Sequence, residues 1–387
     1  MQKDFLMRNF SYWEYVHGIA DQHRTLLNPV KKTDIVIAGA GFAGSWLAYF
    51  LKKQNPKLDV VLFERDQFSY GASSRNAGFL SCGNISEWCE DMKELGKDEA
   101  LNTFAARIEG IEIIRSAMGD QLTVTPYGSV DLDEANADRD HVMSLFNSYL
   151  RDSGRKDFFS RRCVNIAGKP KDIYFNSYDG GINPCDVLIW LHKEIRKLGV
   201  EIYTETHVTS MRENTAQWQQ GQRQGDMTYR YAYICTNAFA ESLKPNTDVA
   251  PARGQIMLTS PCTSETFQSL GFLNAGYDYY RFVDSRLLVG GGRMKYKDDE
   301  TTNVLATSTG VQDYLKDLAA NILGHTDFSI DHAWAGIMGL RQGKHASATE
   351  FSKRSMVDTV TEDVNACGGW GVTLTPGLMR QRANAWR

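Results

Sequence analysis

The sequence predicts an α/β fold, with a βαβ unit near the amino terminus and a β-rich part inserted further along. Three observations predict it. Residues 33–38 are a short apolar run that meets a glycine-rich turn. After that turn, residues 45–53 carry Trp46, Leu47, Tyr49, Phe50 and Leu51 at helical spacing. Beyond them, helix-like and strand-like segments are interleaved along the chain.

The turn comes first because it carries the sharpest signal. Gly39, Ala40, Gly41, Phe42, Ala43 and Gly44 give G-x-G-x-x-G where the helix should begin. A strand that turns sharply into a helix aims backbone N–H groups at one spot, and a helix N-terminus favours an anion there. Gly39 permits the tight turn, Gly41 lets the backbone approach a phosphate, and Gly44 lets the helix pack on the strand. Taken alone, such a run is also an ordinary glycine-rich turn. Its surroundings favour the site. Asn55 and Pro56 end the helix, residues 58–63 form a second apolar strand, and Glu64 follows where an acid takes a ribose hydroxyl. The unit predicts a dinucleotide site.

Composition narrows the function. With 387 residues and 42% hydrophobic content, the chain can bury a large core as one elaborate domain or two intertwined ones. A net charge of −4 gives no electrostatic reason to expect nucleic acid. No run is apolar and long enough to span a bilayer, and the start of the chain has no continuous apolar stretch of a secretory signal. Cys82, Cys89, Cys163, Cys185, Cys235, Cys262 and Cys367 are scattered and form no C-x-x-C pair. That pattern predicts reduced thiols in a cytoplasmic protein, not a disulfide framework or zinc site. The histidines are dispersed too, so no metal site is expected.

Along the chain, Phe10, Tyr12, Trp13 and Tyr15 make residues 1–32 an aromatic segment, expected to pack as an N-terminal cover. Residues 65–84 read as a loop. Helices are expected over 85–95, 98–117, 135–151, 186–197 and 309–323. Strands are expected over 128–133, 200–205, 207–212, 227–235, 254–260, 277–283 and 286–290. The glutamine-rich residues 216–226 read as a solvated hairpin tip. A strand-to-helix element from residue 364 closes the chain.

Several short motifs follow the glycine turn and Glu64 in order: the Gly71-Ala-Ser-Ser-Arg-Asn-Ala-Gly78 loop, Asn183-Pro184 before a helix, Gly199-Val200, Val208, and Thr236-Asn237-Ala238. Arg253-Gly254-Gln255, Gly290 to Arg293, Trp334-Ala-Gly-Ile and Gly368-Gly-Trp-Gly-Val-Thr-Leu374 come after them. In this order the chain resembles the FAD-dependent amino-acid and amine oxidase family (the DAO family) that includes glycine oxidase, sarcosine oxidase and γ-glutamylputrescine oxidase. The resemblance implies a Rossmann-like FAD-binding domain (33–110, 181–250 and 356–387) with an interleaved β-rich substrate domain (111–180 and 251–355).

It also implies where FAD is held. Gly39, Gly41, Phe42, Ala43 and Gly44 would take the pyrophosphate, with Glu64 and Arg65 beside the ribose. Ser73, Ser74, Arg75, Asn76, Ala77 and Gly78 would run under the flavin ring, although the same residues suit a plain surface turn. Val208, Thr236 and Asn237 would form a further contact. Gly369, Gly371, Val372 and Thr373 would pass close to the ring before a helix begins near Thr373. That helix N-terminus would stabilise negative charge on reduced flavin. Few residues follow Leu374, so a short closing helix is expected. No attachment pattern of the family is matched at Ser74, Arg75, Cys82 or Cys367, so noncovalent FAD is expected.

The chemistry implied is hydride transfer from an amine carbon to flavin N5, giving an imine that water hydrolyses. Oxygen or another acceptor would then take the electrons. The flavin supplies the reactivity, so the protein orients the substrate and needs no acid–base triad. The pocket should favour the neutral amine. By resemblance, Tyr280, Arg281, Arg341 and Lys344 are candidate substrate contacts. The run Arg341-Gln-Gly-Lys-His-Ala-Ser-Ala replaces a Thr…Asp…Pro pattern of relatives, so their substrate pocket cannot be copied. Other readings stay open: a 2-hydroxy-acid or modified-tRNA amine substrate, a flavin-binding module without turnover, or a nicotinamide dehydrogenase.

Overall fold

The computed structural model describes residues 10–18, 32–125, 128–245, 247–341, 361–363 and 368–386. Lys344, Cys367 and the side chain of Arg341 lie outside the described set.

Local signals set most elements. Ser11 and Glu14 form a capping box on α1 (Tyr12–Val16), and Trp13 is buried. β1 (Ile35–Ala38), α2 (Phe42–Gln54) and β2 (Val60–Phe63) make the βαβ unit. Helix α2 starts at Phe42, inside the glycine run and earlier than the apolar spacing predicts. The expected loop over 65–84 contains α3 (Ala72–Arg75) and β3 (Phe79–Leu80). Asn84 caps α4 (Ile85–Leu95) by accepting from the Glu87 N–H, and α5 (Lys97–Met118) follows.

Next come β4 (Ser129–Asp131), α6 (Ala137–Asp152), β5 (Phe159–Ile166), β6 (Lys169–Asn176) and β7 (Gly180–Gly181). The β5–β6 hairpin was not expected. Much of it is exposed, and Arg161, Arg162, Lys169 and Lys171 interrupt the apolar alternation. Asn183 and Pro184 start α7 (Pro184–Lys197) as cap and first helical residue. β8 (Glu201–Tyr203), β9 (His207–Arg212), β10 (Thr215–Gln220), β11 (Arg223–Thr228) and β12 (Tyr231–Ile234) follow.

Residues 221–226 are the largely exposed turn and return arm of the β10–β11 hairpin, as expected, but residues 216–220 are not solvated throughout. Ala216, Trp218 and Gln220 alternate inward along β10 and are buried. The single strand expected over 227–235 is two strands in different sheets. Then come β13 (Val249–Thr259), β14 (Leu270–Leu273), β15 (Asp278–Val283), β16 (Arg286–Gly291), α8 (Thr309–Leu323), β17 (Ile330–Arg341), β18 (Thr361–Asp363) and α9 (Gly371–Ala385). Helix α9 has 15 residues and packs on α2 and α5, so the closing helix is longer than expected. Its Pro376 is the sixth residue and lies inside the helix, where the missing N–H removes the bond to the Val372 carbonyl.

Two sheets position the site. The five-stranded sheet runs β18-β12-β1-β2-β8, and every neighbouring pair in it is parallel. β1 and β2 are buried along their whole length, as strands covered on both faces are. The chain winds from β1 outward on one side through β2 and returns on the other through β12. That reversal leaves a crevice at the carboxyl ends of β1 and β12. The larger sheet runs β17-β13-β16-β15-β14-β4-β6-β5, with β14 and β4 its parallel pair. A core of α8 residues and inward-facing β15 and β16 residues, Leu315, Ile322, Tyr280 and Val289 among them, covers one face of it. The boundaries expected at 110/111 and 250/251 fall inside α5 and β13.

Candidate functional site: a cavity between two helix N-termini

The glycine turn is built by close approach. Gly39 has φ +106, and a Cβ there would lie 2.5 Å from the Cys235 carbonyl oxygen. A Cβ on Gly44 would meet the Gly39 carbonyl oxygen at 1.9 Å, and one on Gly41 would meet Ser73 Oγ at 2.8 Å. The peptide between them is held from four directions. The Ala40 carbonyl accepts from Ser45 Oγ at 2.9 Å and Ser69 Oγ at 2.6 Å. His192 Nε2 lies 2.9 Å from the same oxygen. Burial pushes the imidazole down to about 4, so it is neutral and its Nε2–H donates. The Ala40 N–H donates to Glu64 Oε2 at 3.0 Å, and the Asp66 N–H to Glu64 Oε1 at 3.1 Å. Burial still pushes the Glu64 carboxyl up, to about 7. So fixed, the turn presents the first-turn N–H groups of α2, which have no intrahelical acceptors; that of Phe42 donates to Ser73 Oγ at 2.9 Å.

A cavity of about 510 Å³ starts at this turn. Gly39, Gly41, Phe42 and Ala43 form one part of its wall, with Glu64 and Arg65 beside them. The Arg65 guanidinium lies 4.9 Å from the centre of the Phe239 ring, also on the wall. Ser73, Arg75, Asn76 and Ala77 continue the lining, faced by Val208, Thr236 and Asn237. At the other end Gly369, Gly371, Val372 and Thr373 bring the N-terminus of α9 to the cavity. Thr236 Oγ1 and Thr373 Oγ1 are buried without a partner.

That end also holds Phe79, Glu87, Tyr279, Arg293 and Trp370. Arg107, from α5, lies between the rings of Trp88 (4.4 Å) and Trp370 (3.8 Å). Its Nη2 donates to Glu87 Oε1 at 3.0 Å, while Glu87 Oε2 is buried without a partner. Burial outweighs the Arg107 charge and pushes the Glu87 carboxyl up to about 7. Asp278 Oδ1 accepts from the Gly292 N–H at 2.7 Å and so fixes the turn that carries Arg293.

Some expected site residues are not on this wall. Gly44 lies beneath the turn. The Ser74 hydroxyl points to Glu14 and the Ser69 carbonyl, and Gly78 packs on the Ile182 carbonyl. Neither Tyr280 nor Arg281 reaches the cavity. Successive strand residues face opposite ways, so Tyr279 lines the cavity and Tyr280 enters the core under the sheet. Arg281 is buried and donates through Nη1 to the Gly78 and Ile182 carbonyls at 2.8 Å each. It braces the loop from behind. Ser45, Ser69, His192 and Glu87 were not singled out from the sequence, while Tyr279, Arg293 and Trp370 lie inside its quoted motifs and expected strands without having been chosen as site residues. The period of two along β15 could have pointed to Tyr279, and the glycine-rich motifs to Arg293 and Trp370.

A family profile described as FAD dependent oxidoreductase, the DAO family, matches residues 34–381. The chain belongs to this family. Members of it are FAD-dependent oxidoreductases, and the described residues fit that cofactor. A glycine turn a Cβ would fill, a carboxylate at the end of β2, two helix N-termini and two orphaned threonine hydroxyls line one long cavity.

The chain is 25% identical over 330 residues to a probable oxidoreductase, OrdL, of Haemophilus influenzae, covering 76% of this chain and 74% of that one. It is 26% identical to the γ-glutamylputrescine oxidoreductase of Escherichia coli, covering 69% and 66%. In fold it resembles glycine oxidase from Geobacillus kaustophilus, with a TM-score of 0.66, 16% identity, and 90% and 93% coverage. It also resembles L-amino acid deaminase from Proteus myxofaciens, with a TM-score of 0.71, 13% identity, and 94% and 91% coverage. The Rossmann-like α/β arrangement expected from the sequence is the fold of this DAO-family chain.

Proposed function

We propose that this DAO-family chain oxidises the C–N bond of a small amine or amino acid, the bound FAD being the group that would accept the substrate's hydride. As the hydride leaves, the nitrogen lone pair forms the C=N bond, the iminium gives up its N–H proton, and water hydrolyses the imine to a carbonyl compound and an amine or ammonia. FAD, when bound, supplies the two-electron acceptor. The relative named for γ-glutamylputrescine, and the fold neighbour named for glycine, support an amine-type donor.

The observation that carries the reading is the set of charged side chains on the cavity wall, the carboxylates Glu87, Glu90 and Asp91 together with the guanidinium of Arg293. A carboxylate with a free buried oxygen attracts an ammonium and can take its proton, and hydride loss requires the neutral amine. Arg107 holds the Glu87 carboxylate in place through its other oxygen. The Arg293 guanidinium suits a substrate carboxylate. Tyr279, Phe79 and Trp370 supply apolar walls that exclude water. At the opposite end we assign the glycine turn and Glu64 to the pyrophosphate and ribose, and the N-terminus of α9 to the flavin ring. FAD is held noncovalently in this reading. Cys82 is buried against Asp179 and Asn176, away from the cavity wall.

Anaerobic mixing of the yellow protein with a panel of small amines, amino acids and 2-hydroxy acids tests it. Bleaching by an amine or amino acid is expected. Bleaching only by a hydroxy acid, or by none of them with FAD fully bound, would overturn it.

A further inference from the structure

We propose that α1, which lies ahead of the family match, is a working part of the FAD site, with Glu14 as the positioning residue that fixes Arg75 in the cavity wall. This rests on the reading that FAD fills the cavity.

The Glu14 and Arg75 side chains are 0% and 5% exposed, and they pair at 3.5 Å. Two charges taken out of water are a poor source of stability, so a pair kept at a cavity wall calls for another role. Arg75 uses its remaining donors to join two walls. Its Nε donates to the Tyr70 carbonyl at 2.9 Å and its Nη1 to the Ala335 carbonyl of β17 at 3.3 Å. Without Glu14 its buried charge would lose its paired carboxylate and keep only the weaker field of Asp66.

The rest of α1 grips the same loop. Ser11 Oγ donates to the Ser74 carbonyl at 2.8 Å, and Trp13 Nε1 donates to the Asn76 carbonyl at 2.7 Å. In a planar trans peptide the next N–H points opposite to the carbonyl. The Ala77 N–H therefore points away from α1, and Ala77 lines the cavity, whereas the Arg75 N–H closes the single turn of α3. Glu14 also accepts from the Ser74 hydroxyl and, at 2.8 Å, from the Ser11 N–H. At its far end the helix is tied to α7, where His17 Nε2 lies 2.7 Å from Asp186 Oδ1. These contacts make α1 a clamp on the backbone of residues 74–77.

The test uses the full chain and the variants Glu14→Gln, Arg75→Gln and their double. FAD dissociation constants, the flavin midpoint potential and the visible spectrum are measured for each. Glu14→Gln is expected to weaken FAD at least tenfold and to shift the spectrum and potential. The double variant should be no worse than Arg75→Gln, because coupled groups are not additive. Should Glu14→Gln fold poorly, Ser74→Ala, which removes one hydrogen bond to Glu14, is expected to shift the spectrum in the same direction. A folded Glu14→Gln with wild-type affinity, spectrum and potential overturns the proposal, as do additive effects. If Arg75→Gln and Gly41→Val also leave FAD binding untouched, the placement of FAD in the cavity is what fails.

Discussion

The Ala40 peptide is held by Ser45, Ser69 and His192 on its oxygen and by Glu64 on its nitrogen. His192 makes this arrangement sensitive to acid. Its pKa is about 4 in the folded chain and near ~6.5 when unfolded. Between those values the unfolded chain takes up a proton that the folded chain refuses. Stability from this group is therefore complete above about pH 6.5 and falls as pH drops toward about 4. His192→Gln, which keeps a donor but cannot titrate, should remove up to ~3 kcal/mol of that pH dependence. Urea unfolding of both proteins across the window checks it, and equal slopes would contradict it. The glycines of this turn were legible in the sequence because only glycine satisfies the geometry at Gly39 and Gly44. Its supports were not. Ser45, Ser69 and His192 converge on one oxygen through tertiary folding, and no spacing announces that. Tyr280 was chosen one step off, since β15 turns Tyr279 to the cavity; Arg281 shares the face of Tyr279 but is spent on the Gly78 and Ile182 carbonyls.

Among the elements, α5 and α9 meet where Gly110 leaves no room. A Cβ at Gly110 would stand 1.7 Å from the Thr373 carbonyl oxygen. Alanine in a helix interior gains ~1 kcal/mol over glycine by propensity, but overpacking against backbone costs ~1–3 kcal/mol or more. The clash wins. Gly110→Ala should lower the melting temperature and weaken FAD by displacing the N-terminus of α9. Gly377→Ala on the same seam is the control, because its Cβ would meet only the flexible Glu109 side chain, nearest at 3.3 Å. That variant should be neutral or slightly stabilising, and thermal melts with FAD titration separate the two. Elements with one strong periodicity, such as α4 and α8, were legible at nearly their observed bounds. Elements whose solvent faces are charged or glutamine-rich were not. In β10 the buried partners of the alternation include Gln220, which bonds the Thr204 carbonyl at 3.0 Å, so the pattern of two was hidden.

At the scale of the whole molecule, the cavity is walled by both large sheets and by two helix N-termini drawn from opposite ends of the chain. We propose that the two sheets mark a cofactor lobe and a substrate lobe. Helix α5 runs across the boundary expected at 110/111 and β13 across that at 250/251, so the lobes should unfold together. Circular dichroism and tryptophan fluorescence should give coincident melts for the FAD-free protein, and separated transitions would count against this. Ligand that binds only the folded chain stabilises it, by ~2.7 kcal/mol at a hundredfold excess over the dissociation constant. Saturating FAD should therefore raise the single transition. The order of short motifs made this architecture legible, while the substrate end was not: Glu87, Tyr279 and Arg293 come from α4, β15 and the turn after β16, far apart in sequence. The most direct measurement is an FAD titration of the wild-type and Gly41→Val apoproteins followed by visible absorbance. The wild type is expected to turn yellow and hold FAD tightly, and Gly41→Val to lose at least a hundredfold in affinity, ~2.7 kcal/mol, while staying folded. Equal FAD uptake by the two proteins would contradict a pyrophosphate seated on the glycine turn.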